Sequence, residues 1–210
     1  MIKTYNIDCI DFMKKIPDKY YDLSICDPPY GRNNLNKNKK TKFKNLKTTY
    51  KNSCIPSDEY FYEIDRISKN YIIWGCHYMP HCIKENGTFI VWNKCANPDI
   101  HHMSACDIAF YSKKDRIKMY TAAWCGAVKC KNIETIHPHE KPVSLYKWLL
   151  LNYAKKEYKI FDSHGGSGSI LIACFELDFN IDWCEIDKIY YNNALNRLNL
   201  YKKQKKLDIE

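Results

Sequence analysis

Two consecutive prolines, Pro28 and Pro29, follow closely on the apolar run Tyr21–Cys26. Proline lacks a backbone N–H and has a fixed φ, so the pair cannot continue a sheet ladder. A buried strand therefore ends near Asp27, and Asp27-Pro28-Pro29-Tyr30 makes a stiff turn at its carboxyl end. A second constraint lies late in the chain. Tyr158–Phe161 predicts a strand, Asp162–Ser169 a glycine loop, Ile170–Leu177 a helix and Ile181–Cys184 another strand.

The remaining pattern fits these two units. Thr4–Ile7 is β-prone, Cys9–Lys15 predicts a brief helix, and Pro17-Asp18 turns the chain. Ser57–Ile67 predicts a helix capped by Ser57, and Tyr71–Trp74, Thr88–Trp92 and Ile108–Tyr111 predict strands. A further helix begins at Pro142, with Leu145, Trp148 and Leu149 at helical spacing. Asp187 caps a final helix through about Leu200, and the charged tail Tyr201–Glu210 is expected to fray. Strands alternating with helices argue for an α/β fold with a mostly parallel sheet and helices on both faces. With 210 residues, the chain is expected to be a single domain.

The formal charge is +9, which suits a polyanionic partner or simply adds solubility. Eight of the basic residues crowd between Gly31 and Pro56, a stretch without any acid, so residues 31–56 read as a basic loop. Arg32, Lys37, Lys39, Lys40 and Lys42 are its candidate phosphate contacts; a solvated linker is the plainer alternative. No run reaches the ~20 apolar residues of a membrane span, and Met1–Phe12 lacks a signal-peptide core, so a cytoplasmic protein is expected. The eleven cysteines are scattered and odd in number, which predicts reduced thiols. Neither Cys76, His77, His81 and Cys82 nor His101, His102 and Cys106 shows paired zinc spacing, and no metal is expected.

The glycine loop points to a ligand. Ligands of open α/β sheets bind beyond the carboxyl ends of the strands. Gly165, Gly166 and Gly168 let backbone approach where a Cβ would collide, and Glu185, about twenty residues on, can accept from two ribose hydroxyls. A tight strand–helix turn with a capping acid would leave the same pattern. The spacing is not that of a dinucleotide loop, and a carboxylate at Asp162 would repel a pyrophosphate. It would favour a cationic ligand such as S-adenosylmethionine.

The proline turn suits chemistry on an aromatic amine. Such an amine is a poor nucleophile because its lone pair is delocalised into the ring. Asp27 and the Pro28 carbonyl can accept its two N–H bonds and draw the nitrogen toward a tetrahedral form, while Tyr30 stacks on a base rotated out of a duplex.

Together these motifs resemble the amino-methyltransferases of DNA, whose catalytic motif is (Asn/Asp/Ser)-Pro-Pro-(Tyr/Phe). The resemblance runs through Ile7-Asp8-Cys9, Asp22–Gly31, His137–Leu145, Ile160–Ala173 and Glu185–Arg197. The catalytic motif precedes the cofactor loop, as in the circularly permuted beta class. The resemblance implies a Rossmann-like fold with a seven-stranded, mostly parallel sheet. It implies S-adenosyl-L-methionine as cofactor and adenine N6 in duplex DNA as target, an aspartate at the head of the motif favouring adenine over cytosine N4. Asp27, Pro28, Pro29 and Tyr30 would be catalytic. Asp8, Cys9, Asp27, Lys141, Pro142, Asp162, Ser163, His164, Gly166, Ser167, Gly168, Glu185 and Ile186 would line the cofactor. Ser163-His164 stands where many relatives have Pro-Phe. Residues 96–136 would be a small target-recognition insertion. The resemblance admits a homodimer and a cognate restriction endonuclease as further partners. Cytosine-N4 methylation, RNA methylation and a catalytically silent DNA-binding protein of this fold are the competing readings.

Overall fold

The computed structural model describes residues 1–31, 54–94, 104–124 and 140–207. They form one eight-stranded sheet with helices on both faces. Strand β1 (Ile2–Tyr5) and a five-residue helix α1 (Cys9–Met13) precede β2 (Tyr21–Cys26). Helix α2 (Asp58–Ile67) runs without a loop into β3 (Ser68–Trp74), followed by β4 (Thr88–Asn93), β5 (Cys106–Tyr111) and β6 (Lys118–Thr121). The C-terminal part is α3 (Val143–Tyr153), β7 (Lys159–Asp162), α4 (Ser169–Leu177), β8 (Asn180–Cys184) and α5 (Lys188–Leu207).

The strand order is β1-β8-β7-β2-β3-β5-β4-β6. The first five strands pair parallel throughout. Beyond them β5 runs against both β3 and β4, and β6 lies parallel to β4. The sheet thus has eight strands where seven were expected. The extra one is β6, four residues at the sheet edge, too short to show a period. β5 and β6 also fall within the expected 96–136 insertion, so part of that stretch belongs to the sheet. β1 begins two residues earlier than expected, and α5 continues through Leu207 instead of fraying after Leu200.

Period-two alternation fills both faces. Leu23, Ile25, Ile72, Trp74, Ile160 and Trp183 pack against Leu145, Leu149, Leu171 and Leu198 of α3, α4 and α5. Cys26, Tyr71, Ile73, Phe161 and Cys184 pack on the other side against Phe12, Met13, Tyr60, Ile64 and Ile67 of α1 and α2. β2 is buried along nearly its whole length, as a strand covered on both faces must be. Asp187 caps α5 as expected, accepting from Ile189 N at 2.8 Å and Tyr190 N at 3.2 Å. Ser57 stands at the N-cap of α2, but its side chain makes no capping bond; its carbonyl accepts from Tyr60 N at 3.0 Å.

The connections place the site. From β7 the chain passes through α4 to β8 on one side, and from β2 through α2 to β3 on the other. The chain therefore diverges between the carboxyl ends of β7 and β2, where a crevice opens in such sheets. Register brings those ends level, with Leu23 opposite Ile160 and Ser24 opposite Phe161.

The glycine loop closes over this end through Gly165, whose N–H donates to Cys184 O at 2.8 Å. A Cβ at Gly165 would overlap the indole of Trp183, a ring with no exposed surface. The substitution Gly165→Ala is expected to lower unfolding stability by about 1–3 kcal/mol, the usual penalty for overpacking a core. Urea denaturation checks this, and an unchanged midpoint would mean that the loop and indole move apart freely.

Candidate active site

Asp27, Tyr30 and Lys141 meet at the end of β2. The Tyr30 hydroxyl donates to Asp27 Oδ1, and the Lys141 ammonium pairs with Asp27 Oδ2. Lys141 also donates to Tyr30 Oη at 3.1 Å. Its side chain is 5 % exposed and that of Asp27 15 %. Burial, and next the Asp27 charge, push the Tyr30 phenol well above its ordinary pKa, so it stays a neutral donor.

The Tyr30 ring is seated by Gly75. This residue follows β3 with φ +73°, and a Cβ there would overlap the ring. The Tyr78 ring lies near it, with centroids 5.9 Å and planes 23° apart. Pro142 is the N-cap of α3, so the helix starts at Val143, one position after the start the sequence suggested, and Lys141 is thereby held at the mouth of that helix.

The glycine loop lies on the neighbouring strand. Asp162 ends β7, is 2 % exposed, and accepts from His164 N at 3.1 Å. Burial pushes its carboxyl well above the usual carboxylate range, and the Asp27 and Glu185 charges add to this. Ser163 Oγ lies 2.8 Å from both Tyr60 Oη and His164 Nδ1. Burial lowers the His164 pKa to about 4, so its ring is neutral at neutral pH. Gly166 and Gly168 take φ of +51° and +68°, which turns the chain tightly into α4. Ser167 Oγ lies 3.1 Å from Ser169 Oγ.

Glu185 follows β8 and is 8 % exposed. Its oxygens accept from Gly166 N at 2.7 Å and Asp187 N at 2.8 Å. Each oxygen retains a second lone pair. Burial raises its pKa above the ordinary value. Ile186 beside it is exposed. Asp8 caps α1 through Ile10 N at 2.8 Å, and Cys9 is the first residue of that helix.

Several residues of this region escape sequence reasoning. Asn6 donates to Glu185 O at 2.7 Å and Ile186 O at 3.0 Å, which ties the end of β1 to the acid. Arg197 of α5 pairs with Glu140 at 3.0 Å and donates to Ser167 O at 3.1 Å. Glu140 sits beside Lys141 in the His137–Leu145 stretch of the resemblance, which is the one signal that could have singled it out. Arg32, Lys37, Lys39, Lys40 and Lys42 lie outside the described residues, as do His101, His102, His137 and His139. Cys76 and Cys82 are buried among core residues, and His81 stands 3.7 Å from Asp58.

The assembled site joins a carboxylate–tyrosine turn to a glycine loop between two acids. A family model described as DNA methylase, of the N6/N4 methyltransferase type, matches residues 21–196. The chain belongs to this N6/N4 DNA methylase family. M1.HpyAVI, solved with S-adenosylmethionine, superposes with a TM-score of 0.62 at 20 % identity, covering 94 % of this chain and 100 % of that one. TTHA0409 from Thermus thermophilus, complexed with S-adenosyl-L-methionine, gives 0.62 at 13 % identity, over 96 % and 94 % of the two chains. The cytosine-N4-specific PvuII DNA methyltransferase gives 0.61 at 10 % identity, over 92 % and 85 %. At these identities the structures share the fold. Comparison with curated protein sequences gives no match.

Asp162 makes a testable contribution to stability. Its folded pKa is raised, so its contribution is fully present below the ordinary carboxylate pKa and is lost as pH rises through the folded value. Asp162→Asn removes this loss. Thermal melts of the ligand-free variant are expected to exceed wild type at pH 8 and to converge with it toward pH 4. A variant less stable at pH 8 would mean that the acid is ionised and paired.

Proposed function

We propose that this chain transfers a methyl group from S-adenosyl-L-methionine to the N6 amino group of adenine in duplex DNA. The observation that carries the reading is the placement of Asp27-Pro28-Pro29-Tyr30 directly after β2, beside the glycine loop that follows β7, at the point where the sheet connections diverge. The aspartate heading the motif supports adenine over cytosine.

The residues of the loop fit the donor. The left-handed turns at Gly166 and Gly168 bring backbone close to a ligand, and buried Asp162 favours a positive charge. Asp162, Ser163, His164, Gly166, Ser167 and Gly168 would hold the methionine part. Glu185 and Ile186 would hold the ribose, Asp8 and Cys9 the adenine, with Lys141 and Pro142 beside them. When bound, the cofactor supplies a methyl group made electrophilic by its sulfonium.

The chain's own residues act mainly by position. Asp27 accepts one N–H of the target amine and the Pro28 carbonyl the other, which localises the nitrogen lone pair. On transfer the donor would keep the pair of the bond it loses, and Asp27 would accept the surplus amine proton and pass it to solvent. Tyr30 stacks on the rotated base, and Pro28 and Pro29 keep the turn rigid. Arg32, Lys37, Lys39, Lys40 and Lys42 would hold phosphates, and residues 96–136 would supply base reading outside the sheet strands.

Asp27→Ala tests this reading. Wild type is expected to transfer labelled methyl from the cofactor to unmethylated genomic DNA, and the variant about a hundredfold or more slower with cofactor affinity retained, as for loss of one transition-state hydrogen bond. Wild-type-like turnover in the variant would remove Asp27 from the mechanism.

A further inference from the structure

Lys141 was expected only to lie beside the cofactor, yet the structure engages it with the catalytic carboxylate. The two oxygens of Asp27 have different partners: Oδ1 accepts from a neutral phenol, Oδ2 from an ammonium. Lys141 Nζ also lies 5.5 Å from the Trp74 ring centroid and 5.7 Å from that of Tyr30. A buried ammonium needs an ionic partner, because desolvation is costly unless the charge is paired. Asp27 is that partner among the described residues.

The backbone carrying Lys141 is fixed independently. The preceding Glu140 has a side chain 2 % exposed, paired with Arg197 Nη2 at 3.0 Å. Its carbonyl accepts from Trp124 Nε1 at 2.7 Å. Arg197 also donates to Ser169 Oγ at 3.0 Å, so α5 clamps this segment to the start of α4. The next residue, Pro142, opens α3 with φ −69°. Lys141 is thus aimed at Asp27 from a braced position.

We propose that Lys141 is a positioning residue for methyl transfer: it holds Oδ2 of Asp27 so that Oδ1 is presented to the target amine. The proposal rests on the methyltransferase reading above. The division of labour follows from the strength of the two bonds. An incoming N–H donor replaces the neutral Tyr30 hydroxyl at Oδ1 more readily than it replaces the ammonium at Oδ2. Tyr30 then keeps its ring for stacking, while the carboxylate plane stays fixed by the lysine.

The test compares Lys141→Met, Asp27→Asn and the double variant with wild type. Single-turnover methyl transfer to unmethylated genomic DNA is read beside cofactor affinity by calorimetry. Lys141→Met is expected to slow transfer about a hundredfold, the effect of misplacing a reacting group by about 1 Å, with cofactor affinity falling far less than the rate. Asp27→Asn/Lys141→Met leaves no unpaired buried charge at this pair, so it remains measurable even where Lys141→Met does not fold. Its rate is expected to equal that of Asp27→Asn, because the lysine acts through the carboxylate. Cofactor affinity falling in step with rate, a double variant much slower than Asp27→Asn, or a fully active Lys141→Met would each overturn the role. Wild-type protein that transfers no methyl would overturn the methyltransferase reading as well.

Discussion

The parallel pairing of β2 with β7 is the contact on which the site depends. Its register, Leu23 to Ile160 and Ser24 to Phe161, sets the end of each strand beside the other. Everything chemical then follows within a few residues: Asp27 just past the end of one strand, Asp162 at the end of the next, and a connection leading away on each side. Pro28 and Pro29 stop β2 at that level, and the turns at Gly166 and Gly168 allow the other chain to bend immediately into α4. These strands are far apart in sequence, and apolar residues on both sheet faces hold the pairing.

The resulting crevice concentrates charge in a place that disfavours it. Asp27 lies beside Asp162 and Glu185, burial raises the cost of ionising the latter two, and the three acids are handled differently. Asp27 has Lys141. Glu185 has two backbone N–H donors. Asp162 has one backbone N–H and the strongest burial, so a cationic ligand would relieve it most. Arg197 links the segment carrying Lys141 to the start of α4, which joins the Asp27-Pro28-Pro29-Tyr30 turn and the glycine loop mechanically.

Much of this was legible in the sequence because it is local. The Pro-Pro stop after β2, the glycine loop after β7 and the Asp187 cap are written in adjacent residues and recur where expected. Edge strand β6 was not legible: four residues, Lys118–Thr121, carry too little periodicity to stand out. The reversal of β5 was also hidden, since direction depends on pairing partners and not on a strand's own pattern. The Arg197–Glu140 pair joins residues 57 positions apart, and nothing near either names the other. Lys141 was singled out by its motif, but its carboxylate partner emerged only from the packed structure.

The central claim is that this crevice methylates the N6 amine of adenine. Mass spectrometry of nucleosides tests it directly, using unmethylated genomic DNA incubated with the purified protein and S-adenosyl-L-methionine. The account predicts N6-methyladenine that is absent when the protein is omitted. N4-methylcytosine in its place would contradict the target assignment, and DNA left unmodified would contradict the proposed activity itself.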